Sequence, residues 1–595
     1  MCQTLFLGFG LLMFGTHLSC LYSATEAGDD SKGVVKKPGW FGILDAGGRE
    51  FRFSIESWTK ADGTVQTELI SYDEGEQRFR LDNFKIDDER LDFELKSTSA
   101  TYSGRSKDGT SYQGKWKQRG GEFDLVFRKT SEIAIDKPDE VWTGEISTLF
   151  QKLKVRVRLY HQDGGQDRIL FDSLSQKAGG FKGTSQLVGE EWVIDVPALK
   201  SNFKGNLNAD KNVVEGKWTQ GGQASNLRLT RSKLEESTDA HVPNRPQTPH
   251  GPFPYTIEEV VFENAKDKVK LAGTLTIPKS DKTGERFPAA ILISGSGPQD
   301  RDESLLDHKP FWVIADYLSR NGIAVLRFDD RGTASSTGDF AKATTEDFAR
   351  DAEAALEFLL GKQRVAPDKI GLLGHSEGGL IAPMVAADRK DVAFIVMLAG
   401  PGVNGRDILI SQGQLILKAA GIHQESALKK QRLLQEIMTT ICQSPEFNTD
   451  SDSSIDKAVE SAMKQLQTAL PDDSELGKET EDAIRVGIKQ LSSPWFRFFL
   501  SHEPEPILKR VRCSVLALNG EKDVQVDAKL NLPAIRNALK EGGNEDVEVV
   551  EMPGINHLFQ TCETGGVQEY QAIEETISPA VLLKIKDWIV KSTNQ

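Results

Sequence analysis

The sequence predicts a mostly parallel α/β domain with helices on both faces of its sheet, preceded by two all-β repeat units. Three observations predict this. Trp40-Phe41-Gly42 recurs as Trp142-Thr143-Gly144 and Gly114-Lys115-Trp116 as Gly216-Lys217-Trp218, each pair 102 positions apart (142 − 40; 216 − 114). A proline-rich stretch, 234–254, follows the second copy. Beyond it, short apolar runs alternate with longer amphipathic ones, the rhythm of strands and helices that share one sheet.

The two copies span 37–135 and 138–233. Tyr102-Ser103-Gly104 is echoed by Phe203-Lys204-Gly205, and each copy ends on an apolar-rich segment, Phe123 to Phe127 and Asn226 to Leu229. Phe51 to Ile55 and Leu153 to Leu159 alternate apolar and polar residues, as half-buried antiparallel strands do. Ala46-Gly47-Gly48 and Asp163-Gly164-Gly165 supply turns. Two small sandwiches or barrels are expected, with one merged sheet as the alternative. Trp116 and Trp218, as equivalent anchors of a repeat, read as core residues; the competing reading is a carbohydrate-stacking face.

Residues 234–254 contain Pro243, Pro246, Pro249, Pro252 and Pro254 and read as a stiff linker. From 255 to 595 the expected strands are Ala289–Ile293, Ala324–Phe328, Ile370–Leu373, Phe394–Leu398, Val515–Leu518 and Val547–Val550. Between the fourth and fifth lies a mainly helical insertion, 402–500, long enough to cap the sheet's active edge.

Gly374-His375-Ser376-Glu377-Gly378 is a G-x-S-x-G motif. Alone it is weak, but it follows an apolar strand and opens a helical run. That is the strand-to-helix elbow of the α/β-hydrolase fold, where a nucleophilic serine sits in a strained turn that flanking side chains would block. Ser376 is therefore the expected nucleophile. A serine hydroxyl needs a base, and the base needs an orienting acid, in the chain order Ser, Asp or Glu, His. Three histidines follow Ser376. His423 falls in the helical insertion and His502 in a Glu/Pro-rich loop; both read as solvated. His557, in Pro553-Gly554-Ile555-Asn556-His557 after the last apolar strand, is the expected base. Asp523, just past Val515–Leu518, is the expected acid, while Asp527 reads as a helix cap. The oxyanion needs two backbone N–H donors. These are assigned to Glu377 and to Ser296, the latter in the loop Ser294-Gly295-Ser296-Gly297-Pro298. That loop lacks the Lys and Ser/Thr of a phosphate loop. The chemistry calls for no metal and no organic cofactor.

The chain has 595 residues, with 73 basic against 88 acidic residues and a net charge of −15. No basic cluster stands out, which argues against nucleic acid as a partner. The length predicts several domains. Residues 1–25 contain no Lys, Arg, Asp or Glu, and Leu5 to Phe14 form a nearly continuous apolar run too short to span a bilayer. With Ser19, Ser23 and Ala24 near a cleavage zone, residues 1–24 read as a secretory signal that lacks a basic start. Export to the periplasm or outside the cell is expected, with lipid anchoring at Leu18-Ser19-Cys20 the lesser alternative. Cleavage would leave Cys442, Cys513 and Cys562, too scattered for a disulfide scaffold or a zinc site, though one bridge stays open.

Taken in order, Gly295-Ser296-Gly297-Pro298-Gln299-Asp300-Arg301-Asp302-Glu303, Phe328-Asp329-Asp330-Arg331-Gly332, Gly374 to Gly379, Gly520 to Val526 and Asn556-His557-Leu558-Phe559-Gln560 resemble the signature of bacterial EstD-type carboxylesterases. The resemblance covers most of 255–592, and the paired β units resemble an N-terminal extension of some exported members. It implies a carboxylic ester hydrolase working through an acyl-enzyme on short acyl chains, a small-molecule ester as partner, and Ser376, Asp523 and His557 as its catalytic residues.

Two segments invite over-reading. Asp329-Asp330-Arg331-Gly332 resembles a metal site, but Arg331 beside the acidic pair reads as an ion-paired structural loop. Arg301-Asp302-Glu303 reads equally as substrate-orienting or as a local salt bridge. The rival functions on the same triad are a prolyl-oligopeptidase-like or aminopeptidase-like serine peptidase and a thioesterase. From another class comes an envelope- or glycan-binding protein whose β units bind and whose hydrolase domain is inert. The sequence does not fix an oligomeric state.

Overall fold

A computed structural model describes residues 39–594 apart from 60–64, 75–76, 96–99, 119–120, 131–137, 148–151, 163–165, 175–177, 221–222, 233–244, 445–451 and 470–477. The expected secretory segment, the expected Asp163-Gly164-Gly165 turn and the first part of the expected linker lie outside the described residues. The chain divides into two compact units between residues 242 and 243.

The first unit is all β, and its two copies close differently. Nine strands between Gly39 and Thr130 form one antiparallel sheet, in which Gly39–Asp45 lies between Glu50–Thr59 and Gly121–Thr130. Eight strands between Glu140 and Ser232 form a closed barrel, with Glu140–Ser147 pairing both Lys152–Tyr160 and Gln223–Ser232. The repeat shows in the register: Gly42 faces Phe127, and Gly144 faces Leu229. Trp40 and Trp142, Tyr102 and Phe203, and Trp116 and Trp218 all sit in the cores. Trp116 stacks on Phe53 with ring centroids 5.3 Å apart, and Trp218 on Phe171 at 4.6 Å. Each of these two indoles bonds the glutamine two residues on. Both tryptophans are core anchors, and neither presents a stacking face to solvent.

A buried ionic seam joins the two copies. Arg158, 3% exposed, reaches Asp73 of the first copy at 2.8 Å and Asp172 of its own at 2.9 Å. Arg52 also pairs with Asp73, and Arg156 with Asp172. Burial works to raise Asp172, but Arg158, Arg156 and Arg52 prevail and hold its carboxyl far below the usual range. Buried charges persist only when paired in this way.

In the second unit we number the strands β1 (Tyr255–Asn264), β2 (Val269–Pro278), β3 (Phe287–Ile293), β4 (Ala324–Phe328), β5 (Val365–His375), β6 (Phe394–Leu398), β7 (Ser514–Gly520) and β8 (Val547–Met552). Their order in the sheet is β1-β2-β4-β3-β5-β6-β7-β8. β2 is antiparallel to both its neighbours, and all pairs from β4 onward are parallel. The six strands expected from sequence are all present. The helices are α1 (Pro310–Arg320), α2 (Thr345–Leu360), α3 (Gly378–Asp388), α4 (Gly405–Ala419), α5 (Glu425–Gln443), α6 (Asp452–Ala469), α7 (Lys478–Leu491), α8 (Pro494–Ser501), α9 (Pro504–Leu508), α10 (Ala528–Glu541) and α11 (Pro579–Thr593).

Helix α2 forms where an amphipathic run meets a good cap. Thr344 and Asp347 make a reciprocal capping box at the start of α2. Phe348, Ala349, Ala352, Ala355, Leu356 and Leu359 then bury one face of that helix. One sheet face is covered by α1 and α11, the other by α2, α3 and α10. Helices α4 to α8 make up the insertion expected at 402–500, and Asp527 caps α10 as its sequence position suggested.

The second part of the proline-rich stretch departs from a free linker. The Arg245 guanidinium donates to the carbonyls of Leu306, Gln571 and Ile573, and Gln247 brackets Thr576 and Ile577. Prolines make this segment irregular, but three half-buried loop carbonyls give it a docking place. Among the described residues Cys442, Cys513 and Cys562 are free thiols, so the single bridge left open by sequence is not formed.

Candidate active site

The strands β3, β5, β7 and β8 all end at the same edge of the sheet, where open parallel sheets place their ligands. β5 ends at His375, α3 begins at Gly378, and Ser376 between them has a φ of +52°. A non-glycine residue there costs about 1–3 kcal/mol and is held by its surroundings. Ser376 N–H donates to Leu398 O at 2.8 Å, and its carbonyl accepts from Gly379 at 2.9 Å. The flanking glycines are obligatory. A Cβ on Gly374 would lie 1.9 Å from Gly378 O, and one on Gly378 would lie 2.1 Å from Ile293 O.

β7 delivers Asp523 and the loop after β8 delivers His557, both 4% exposed. Asp523 Oδ1 accepts the backbone N–H groups of Gln525 and Val526 at 2.8 and 2.9 Å. Its Oδ2 lies 2.8 Å from His557 Nδ1. A carboxylate facing Nδ1 makes that nitrogen the donor and leaves Nε2 to accept a proton. Asn556 and Gln560 clamp the His557 loop through Gln560 N–H to Asn556 Oδ1 at 2.9 Å and Asn556 N–H to Gln560 O at 3.0 Å. Sequence reasoning assigned these two no role, although an Asn and a Gln bracketing the histidine is the visible signal.

Ser376 and His557 line one cavity of about 120 Å³, together with Ser296, Glu377 and a set of apolar side chains including Ile408, Trp495, Phe499 and Val526. Among the described residues no protein acceptor takes the backbone N–H of Ser296 or Glu377. The Glu377 side chain is buried. Burial pushes its carboxyl upward, opposed by hydroxyl and indole donors: Thr345 Oγ1 at 2.7 Å, Trp495 Nε1 at 2.6 Å, and Ser296.

The Asp329-Asp330-Arg331 segment is ion-paired, but not internally as its sequence suggested. Arg331 reaches across to Asp351, Asp267 and Asp347. Asp329 instead pairs with Arg301 at 2.8 Å. Asp330 accepts from Ser294 Oγ at 2.6 Å and Gln299 N at 2.9 Å, so it braces the loop that carries Ser296. Residues adjacent in the chain point to opposite sides here, so their partners come from elsewhere in the fold. Asp302 pairs with Arg327, and Glu303 contacts His375. The triplet therefore splits into three separate structural contacts.

The remaining histidines fall outside the Asp523–His557 pair. His423 is exposed, whereas His502, expected to be solvated, is half-buried and stacks on Phe498 at 5.1 Å. His308, which precedes Ser376 and so escapes a chain-order search, lines the cavity. Burial pushes it down to about 4. Its ring nitrogens meet Thr576 Oγ1 and Tyr570 O at 2.9 Å each, which makes it a wall residue.

With strand order, elbow and site in hand, the second unit has the α/β-hydrolase fold. Residues 311–561 match the model of the family Hydrolase_4, described as serine aminopeptidase, S33. The chain is 26% identical over 321 residues to the esterase EstD of Thermotoga maritima, a match covering 54% of this chain and 66% of EstD. It is 30% identical over 138 residues to an uncharacterised protein of Mycobacterium tuberculosis, covering 23% of this chain and 44% of that one. Both matches span less than two thirds of the relative. Among solved structures, the ferulic acid complex of Est1E from Butyrivibrio proteoclasticus shares 17% identity, with a TM-score of 0.32, over 56% of this chain and 100% of that one. An esterase of Pyrococcus furiosus shares 14%, with a TM-score of 0.33, over 59% and 97%.

Proposed function

We propose that the protein hydrolyses carboxylic esters with short acyl chains through an acyl-enzyme on Ser376. In this reading Ser376 Oγ attacks the ester carbonyl while His557 Nε2 takes its proton, and Asp523 fixes the imidazole and stabilises its charged form. The backbone N–H groups of Ser296 and Glu377 receive the oxyanion. His557 returns the proton to the departing alcohol, and water, deprotonated by the same histidine, releases the acid. The observation that carries the reading is the 2.8 Å His557 Nδ1 to Asp523 Oδ2 contact, on the same cavity as a serine held at positive φ. The small volume and the apolar walls from Ile408, Trp495 and Phe499 favour a short acyl group.

An aminopeptidase needs a carboxylate free to hold the substrate ammonium. Of the carboxylates lining this cavity, Glu303 is taken by His375 and Glu377 by Trp495 and Thr345, which favours the ester. Rates on matched ester, thioester and amino-acid anilide substrates test the choice. Ester turnover alone supports it, and faster anilide turnover would overturn it.

Export and an envelope or glycan role for the β units remain part of the proposal. The first rests on the apolar run Leu5 to Phe14. The second rests on the presence of the duplicated β unit, in which Trp40, Trp116, Trp142, Trp192 and Trp218 are buried. Cell fractionation tests export, and pull-down of the full chain on isolated envelope tests retention.

A further inference from the structure

The cavity contains a second buried acid–histidine pair that the reaction above does not use. Glu303, itself at a positive φ of +51°, points Oε1 at Gly295 N–H at 2.7 Å and at His375 Nδ1 at 2.9 Å. The other ring nitrogen of His375, Nε2, lies 3.0 Å from the carbonyl oxygen of His557. Gly295 precedes Ser296, the assigned oxyanion donor, and a Cβ on Gly295 would lie 3.2 Å from Ser376 Cβ. One unbroken chain of contacts therefore runs from the oxyanion loop, through Glu303 and His375, to the backbone of the base.

Resting on the catalytic roles proposed above, we infer that Glu303 and His375 are positioning residues that hold the oxyanion loop and the His557 loop in register around Ser376, and that they do so with His375 as a doubly protonated imidazolium. With Glu303 ionised, the geometry requires that state. Both ring nitrogens face oxygen acceptors, and a neutral imidazole could donate to only one while aiming a lone pair at the other. Burial opposes the charge, but Glu303, the His557 carbonyl and Asp523 outweigh it and raise His375 above its ordinary range. The titratable groups facing the ring are Glu303 from the oxyanion loop, His557 from the loop after β8, whose ring centroid is 4.9 Å away, and Asp523 from the end of β7. Phe559 closes the remaining side at 6.2 Å.

The sign of the pH effect follows. The tie is intact while His375 is protonated and is lost as pH rises past its raised value, so activity falls on the alkaline side. Without the Glu303 charge, burial is less opposed, and that fall moves to lower pH. A glutamine at 375 donates to the His557 carbonyl without titrating, so the fall disappears.

The test is kcat and KM for nitrophenyl acetate against pH for the full chain, Glu303→Gln, His375→Gln and Ser376→Ala, with circular dichroism to follow folding. We expect Glu303→Gln to lower kcat by about 10- to 100-fold with KM within about twofold, the scale of a small misplacement of reacting groups. Its alkaline limb should lie at lower pH than that of the unsubstituted chain, and His375→Gln should lack the limb. A merely structural pair would lower activity without moving the limb, and that result overturns the inference. The unsubstituted chain gives a second readout: no alkaline fall in kcat before the protein unfolds also overturns it, whatever the variants do. If Ser376→Ala retains turnover, the esterase reading itself has failed, which is a different outcome.

Discussion

Trp495 Nε1 donates to Glu377 Oε1 at 2.6 Å, so helix α8 of the cap is tied to the residue that follows the candidate nucleophile. Replacing the indole by phenylalanine keeps most of the apolar area but removes one donor from a buried carboxyl group. Trp495→Phe should cost about 1–3 kcal/mol of stability, the usual penalty for a buried polar group left short of a partner. It should also slow short-ester turnover. Thermal unfolding and kcat measured on the same preparation check both.

Glu377 gives a pH prediction with a definite sign. Burial raises its carboxyl above the ordinary range, so folding favours its neutral form and the native state loses stability as pH rises through the raised value. Glu377→Gln preserves the acceptor for Trp495 and Thr345 and leaves the backbone N–H in place. The variant should be at least as stable as the original at pH 8, with the difference in Tm shrinking as pH falls towards 4. A gap that widens in acid would contradict this.

Asp523→Asn leaves an oxygen for the Gln525 and Val526 N–H groups but faces His557 Nδ1 with an amide. The imidazole then loses its orienting charge. kcat should fall by about 10,000-fold, as for the loss of such a carboxylate in other triads, with KM little changed.

The ionic seam of the β unit makes a stability prediction separate from catalysis. Arg158→Leu strips one partner from each of Asp73 and Asp172. Breaking a buried pair from one side costs about 3–5 kcal/mol. Limited proteolysis should cut faster within 39–232 in the variant. The Asp172 carboxyl is held low, so the seam's contribution is complete above the usual carboxylate range and is lost only in strong acid.

What the sequence revealed, and what it did not, follows from the range of the interactions. The placement of Ser376, Asp523 and His557 at one sheet edge was legible because chain order and strand ends are local signals that survive without coordinates. The elbow glycines were legible because the clashes they avoid lie within a few residues or on the neighbouring strand. The partners of Arg331 were not, since Asp267 and Asp351 lie 64 and 20 residues away. The contact between Glu303 and His375 bridges 72 residues and leaves no periodicity to read. The docking of Arg245 spans more than 300 residues, and a proline-rich composition suggests the opposite. The repeat was plain from its anchors, but its two closures, one a nine-stranded sheet and one an eight-stranded barrel, depend on strand pairings that the anchors do not encode.

The most direct test of the account is hydrolysis of nitrophenyl esters from acetate to laurate by the full chain and by Ser376→Ala, with mass spectrometry of the enzyme quenched during turnover. The account predicts turnover that is fastest on the short esters, an acyl adduct on Ser376, and loss of both in the variant. Turnover that survives in Ser376→Ala, or none above the variant's background in the original chain, would contradict it.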